Sequence, residues 1–244
     1  MADGRLPAGA LRGARAAADA REVLLAVAVI AVLGAVAVAV RWALTRVDAL
    51  GRTQSFPTVT TSLLAVIALV AGVPVFRHAR VEARLATVAS TLTGHRVAVR
   101  CETLSQAWLD SHAELGYVRF DADGRPEPLA TLTAQACGDL SAWLASPRAD
   151  APLDRIVAVH VLTHEAMHLA GRLDEARAEC EAVQRDARTA RLLGATAEQA
   201  HELSVRYWQQ VYPRLSDDYR SAACAPGGAL DEHLSDAPWP VTAG

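Results

Sequence analysis

The chain contains no lysine: all 24 of its basic residues are arginine. With the abundance of alanine, this is the imprint of a GC-rich coding sequence and carries no functional message. Positive charge is not in excess either. The formal net charge is −3 at pH 7, so the basic footprint of a nucleic-acid binder is missing, and no nucleic acid is expected among the partners. No two of the four cysteines form a C-x-x-C pair, which argues against a cysteine-held zinc site. Methionine occurs only at Met1 and Met167. No internal repeat stands out, so nothing points to a repeat architecture.

Charge is also absent from one long stretch. Val23 to Val40 runs for eighteen residues without an ionisable side chain and is extended past Arg41 by Trp42, Ala43 and Leu44. That approaches the ~20 residues needed to cross a bilayer and exceeds the ~7–15 of a signal-peptide core. Trp42 suits the membrane interface. A polar loop over 45–55 holds Arg46, Asp48 and Arg52. A second apolar run goes from Phe56 to Phe76, with hydroxyl residues at Thr58, Thr60, Thr61 and Ser62, then Gly72 and Pro74. Such residues are tolerated in membrane helices. The expectation is a transmembrane helical hairpin over 23–76 in a two-span membrane protein, with the lipid bilayer as a partner. A buried core helix is the alternative for the second run. Residues 1–22 are small, charged and aperiodic and are read as a disordered tail. Residues 77–244 are read as one soluble domain, in keeping with a chain of 244 residues that is 52% hydrophobic, with the excess in its first third.

Orientation is contradictory. Arg5, Arg12, Arg15 and Arg21 precede the first span and Arg77, Arg80 and Arg84 follow the second, which favours both termini in the cytoplasm. Disulfides between Cys101 and Cys137 and between Cys180 and Cys224 would instead favour an oxidising compartment. Four separate buried thiols are the other option, and a single span with an interfacial second run would reconcile the two signals.

Beyond the apolar runs, residues 77–90 read as an amphipathic helix. The alternation of Arg96 to Arg100 reads as a strand. Residues 117–120 and 128–132 read as two strands around the Asp/Gly turn of 121–124. Gln135 to Ala145 is expected to be helical, with Leu140, Trp143 and Leu144 on its apolar face and Pro147 beyond its end. Another helix runs from Pro152 to about Ala170. Gly171 suits its C-terminal cap and Asp174 the N-cap of the next helix, Glu175 to Leu193. A further helix covers 197–211, and the segment after Cys224 is irregular.

The helix over 152–170 carries the chemistry. His164-Glu165-Ala-Met-His168 is an H-E-x-x-H pattern in an apolar run with no proline or glycine before Gly171. Residues four apart share one face of a helix, so both imidazoles can meet one metal ion. Zn²⁺ suits this donor pair, and Glu165 would stand beside a water held by the metal, as general base. His160 shares the face and reads as a buried partner rather than a ligand.

Zinc needs a third protein ligand. His164 to Asp174 reads H-E-x-x-H-x-x-G-x-x-D and resembles metzincin peptidases with Asp as the last ligand. Those carry a methionine turn beneath the metal, which this chain cannot supply. Asp174-Glu175-Ala-Arg-Ala-Glu179 resembles the third-ligand motif of gluzincins, the thermolysin-like class. That resemblance implies Glu175 as the ligand, with Glu179 orienting a zinc histidine through its free ring N–H, or the two acids exchanging roles. The seven-residue step from His168 to Glu175 is much shorter than in that class. The resemblance covers only residues 157–184. His201, Tyr207 and Tyr212 are candidates for oxyanion stabilisation, although core aromatics explain them as well.

Together these residues imply an α+β, mostly α fold, with a transmembrane hairpin followed by a small zincin-like helical domain holding a short β-hairpin. They imply a membrane-anchored zinc metallopeptidase acting on a peptide or protein substrate. The alternative is a non-catalytic metal-binding membrane protein with a structural or sensing role.

Overall fold

The computed structural model describes residues 8–47, 51–102 and 115–239. The two apolar runs lie in helices α1, Ala8–Thr45, and α2, Thr58–Thr93. The segment read as a disordered tail is helical from Ala8 onward, because its alanines and arginines are strong helix formers and no proline follows Pro7 until Pro57. Its first seven residues lie outside the described ones.

By length and composition, Val23–Thr45 and Thr58–Thr93 are each able to cross a membrane. Their apolar windows are only 11% and 6% buried within the protein, whereas the core helix of a soluble domain hides most of such a surface. The helices meet at small residues: a Cβ on Gly34 would stand 3.5 Å from Leu64, and one on Gly72 3.5 Å from Ala28. Trp42 Nε1–H donates to the Gln54 carbonyl at 3.0 Å, and the ring packs edge-on against Phe56.

The chain divides into two units, Met1–Arg80 and Val81–Gly244. The second unit is organised on a three-stranded sheet of β1 (Ala98–Cys101), β2 (Gly116–Phe120) and β3 (Pro126–Leu132), in the order β1-β3-β2. The expected hairpin is present as antiparallel β2 and β3. Its turn is closed by the Asp121 carboxylate, which accepts from the backbone N–H of Asp123 and Arg125, while Gly124 takes a φ of 73°. The strand expected at 96–100 is present as Ala98–Cys101 and joins the same sheet, parallel to β3. The strand itself was legible, but four residues carry no sign of their partner, so its pairing was not.

The helices α3 (Ala134–Ala145), α4 (Leu153–Leu169), α5 (Glu175–Val183), α6 (Asp186–Leu192) and α7 (Ala197–Gln210) follow. Thr133 caps α3, and a reciprocal Thr196–Gln199 capping box starts α7. The single helix expected over 175–193 is broken at Gln184 and Arg185. Gln184 is fully buried, donates to the Leu230 carbonyl and accepts from the Glu232 N–H, which commits it to the C-terminal segment. The break turns Asp186 inward.

Disulfides join Cys101 to Cys137 and Cys180 to Cys224, so β1 is tied to α3 and α5 to the C-terminal segment. That segment is irregular, as expected, yet it is held down by Arg185–Glu232 and Arg191–Asp236 ion pairs and by Trp239 packed against Trp208.

Candidate metal centre

Helix α4 is buried on nearly every side from Ile156 to Leu169. The polar side chains on its His face therefore need partners inside the protein. His164 and His168 lie one turn apart with their Nε2 atoms 2.9 Å from each other. Both nitrogens are 3.2 Å from the same oxygen of Glu175, Oε2. Tetrahedral zinc with bonds of ~2.0–2.1 Å separates its ligand atoms by about 3.3 Å, so these three donors are already at nearly that spacing.

The turn between α4 and α5 creates this convergence. Ala170 ends α4, the Gly171 N–H bonds the His168 carbonyl at 2.8 Å, and the Arg172 N–H bonds the Met167 carbonyl at 3.1 Å. This double closure is a Schellman turn, and it requires a residue of positive φ at Gly171, where φ is 90°. It also turns the Arg172 carbonyl back to accept from His168 Nδ1–H at 2.6 Å. His168 is thereby oriented with Nδ1–H turned to the backbone and Nε2 turned to His164 and Glu175. Two residues on, Asp174 caps α5 by accepting from the Arg177 N–H at 2.8 Å. The acid of the metzincin-like spacing is thus a helix cap and stands outside the cluster. Glu175 opens the helix and faces both rings.

Glu179, one turn further, is engaged elsewhere. Its Oε2 accepts from His164 Nδ1–H at 3.0 Å and from His160 Nε2–H at 2.9 Å, and its Oε1 accepts from the Tyr207 hydroxyl at 2.8 Å. Burial opposes its charge, but the two histidines outweigh that and hold the carboxyl well below the usual carboxylate range. Hydrogen bonds from His164 and then His168 likewise lower Glu175, to about 2. Burial disfavours a charged His164, but Glu175 and Glu179 reverse that and raise it to about 9 before any metal binds.

Two groups near α4 have metal-ligand composition, His164–His168–Glu175 and His160–His164–Glu179. The deeper one is closed. Both ring nitrogens of His160 face carboxylates, Glu179 at 2.9 Å and Asp186 at 2.9 Å, and this ring stacks on Tyr207 with centroids 3.6 Å apart. Burial disfavours a charged His160, but Asp186 and Glu179 reverse that and raise it to about 10, while burial in turn pushes the Asp186 carboxyl up. Both ring nitrogens are taken up by these two acids, so neither is open to a metal. The first group keeps its donors turned toward open space: the Glu175 side chain is 41% exposed, and a cleft of about 110 Å³ reaches both histidines.

Glu165 lies on α4 between the histidines and is 4% exposed. It borders that cleft and a larger one of about 400 Å³ with apolar walls from Leu115, Val157, Val161, Val211 and Leu215. Gly116 on edge strand β2 leaves room for its carboxylate: a Cβ there would stand 2.9 Å from Glu165 Oε1. Gly116, His164, Glu165 and Tyr219 border both clefts. The sequence reading missed Gly116 and Tyr219. Tyr219 sits in a short 3-10 turn, Asp217–Tyr219, with its ring 5.9 Å from that of His164. Neither has a local signal, since each reaches the site only through tertiary packing. Of the oxyanion candidates named from the sequence, His201 is exposed, the Tyr207 hydroxyl is committed to Glu179, and the Tyr212 hydroxyl pairs with Ser221 backbone at 3.1–3.3 Å.

Comparison of the chain with protein-family models, with curated proteins and with solved structures finds no match to any of them.

Proposed function

We propose that this protein is a membrane-anchored zinc-dependent peptidase in which His164, His168 and Glu175 hold the metal and Glu165 is the general base. The observation that carries the reading is the approach of two ring nitrogens and one carboxylate oxygen to within 3.2 Å of one another, beside a further carboxylate that lines two clefts. Bound there, zinc supplies a Lewis acid and brings the pKa of coordinated water toward ~7. Glu165 accepts a proton from the attacking water and delivers it to the departing amine. Tyr219, which borders both clefts beside His164, is the candidate donor to the carbonyl oxygen as charge develops on it, a role worth roughly 3 kcal/mol for a well-aimed donor. The apolar walls of the larger cleft receive an uncharged part of a peptide.

The same reading places the disulfide-bonded unit outside the cytoplasm. Cytosolic thiols are kept reduced, so two disulfides outweigh the arginine distribution around the apolar helices.

The test uses the full chain in detergent. Zinc content is measured by elemental analysis, and hydrolysis is followed on a pool of quenched fluorescent peptides. Wild type is expected to carry one zinc and to cleave. E165Q is expected to keep the zinc and lose ~10²–10⁴-fold in rate. E165Q cleaving as fast as wild type would refute the mechanism. Zinc binding with no cleavage by either form would favour the structural or sensing alternative.

A further inference from the structure

The mechanism above leaves unused the polar chain buried behind His164. Asp186 Oδ2, His160, Glu179 Oε2 and His164 Nδ1 follow one another at 2.9, 2.9 and 3.0 Å, and Tyr207 closes the other Glu179 oxygen at 2.8 Å. Four of these five residues are at most 3% exposed, and His164 is 8% exposed. Each of the five side chains has at least one partner within this network. The donors define what Glu179 does. Because Oε2 receives N–H bonds from His160 and His164 together, this carboxylate is an acceptor with a fixed orientation. His164 is left with Nε2 as its only metal-facing atom.

We propose that His160, clamped by Asp186, is a positioning residue for the metal centre: it holds the Glu179 carboxylate in the orientation that fixes the tautomer of His164. The inference rests on the metal-centre reading above. Without the His160 N–H, Glu179 Oε2 keeps one donor where it had two. The carboxylate then turns to the nearest cation, competes with Glu175 as a ligand, and closes the position that a catalytic metal needs open. Partners standing behind a metal ligand typically contribute 10–100-fold to metal affinity.

The experiment loads the full chain with Co²⁺. Affinity is read by competition with a chromophoric chelator, and coordination from the visible d–d absorption. H160L removes the N–H and is expected to weaken Co²⁺ binding ~10–100-fold and to shift the d–d band. H160Q places an amide N–H near the former Nε2 and is expected to restore most of both. Wild-type affinity and spectrum in folded H160L overturn the proposal. So does H160Q that is as impaired as H160L, since His160 would then only fill space. If H160L does not fold, D186N carries the test: it keeps the shape but removes the charge that holds His160 Nδ1–H, and unchanged Co²⁺ binding in D186N overturns the proposal. If wild type itself binds no Co²⁺ or Zn²⁺, the metal centre falls, and this inference with it.

Discussion

Gly116→Ala separates the proposed base from the proposed metal ligands. A Cβ at position 116 would lie 2.9 Å from Glu165 Oε1, 3.0 Å from Glu165 Cγ and 2.9 Å from Leu132 Cδ2. Ordinary contact begins near 3.4 Å, so something must give by about half an ångström. Leu132 is fully buried in the core and Glu165 is 4% exposed, so neither side chain can swing into solvent. Overpacking of this kind costs about 1–3 kcal/mol, and displacing a catalytic group by up to ~1 Å costs up to ~10²-fold in rate. No metal-ligand atom is among the three nearest neighbours of that Cβ. The substitution should therefore reduce kcat on a cleaved peptide by ~10–100-fold while zinc stoichiometry and affinity stay at wild-type values. Elemental analysis, chelator competition and steady-state kinetics on the same preparation decide it. Full activity in the variant would show that Glu165 is not the base at this position. Loss of zinc together with activity would show that β2 supports the ligands rather than the base.

The metal-free protein has a pH signature of its own. His164 and His160 are raised to about 9 and about 10, so their stabilisation is complete below pH ~6.5 and fades as pH rises through those values. Glu175, lowered to about 2, contributes above pH ~4.5 and loses its contribution as pH falls toward 2. The melting temperature of chelator-treated protein should be highest between those limits and decline toward pH 9. Zinc must displace the His164 proton, so its apparent affinity should rise about tenfold per pH unit up to pH ~9, and calorimetry in buffers of different ionisation enthalpy should find about one proton released per ion. Opening the Cys180–Cys224 bridge by C180S/C224S removes a cross-link spanning 44 residues, worth about 4 kcal/mol by chain entropy. The variant should melt lower and bind zinc more weakly, because α5 carries Glu175. Gly171→Ala forces a side chain to a φ of 90°, which costs about 1–2 kcal/mol and loosens the carbonyl that holds His168. A melting curve and zinc affinity equal to wild type would exclude that role for the turn.

The parts of this molecule that were legible in the sequence are those governed by local physics. The apolar runs, the β2–β3 turn, the helix expected over Gln135 to Ala145 and the caps at Gly171 and Asp174 each depend on residues within a few positions of one another. So does the i, i+4 placement of His164 and His168. Contacts between distant segments were not legible. The parallel pairing of β1 with β3 joins residues about thirty apart. The break at Gln184 depends on hydrogen bonds to Leu230 and Glu232, across 46 and 48 residues. Gly116 and Tyr219 approach the histidines from opposite sides in sequence, and nothing near either of them announces it. The helical start of α1 was missed because a charged, aperiodic stretch was read as disorder, although alanine and arginine favour helix whatever their pattern.

The seven-residue step from His168 to Glu175 departs from the gluzincin pattern, yet the turn between α4 and α5 still brings Glu175 to both rings. A helix that must stop, reverse and present an acid within seven residues can use no long insertion. Three residues of the turn have distinct roles. Gly171 permits the reversal, Arg172 supplies the carbonyl that orients His168, and Asp174 starts the next helix one residue before Glu175. Arg172 also reaches on to Glu181 at 2.8 Å, where Arg177 joins it, so the turn is pinned to the far end of α5. Helix periodicity then divides the acids. Glu175 and Glu179 share a face, but the first lies level with the Nε2 atoms and the second level with the Nδ1 atom of His164 and the ring of His160. In the proposed metal centre, position along α5 rather than acid strength would decide which carboxylate meets the metal. Exchanging their roles would require α5 to shift by a full turn, about 5.4 Å, past a disulfide anchored at Cys180.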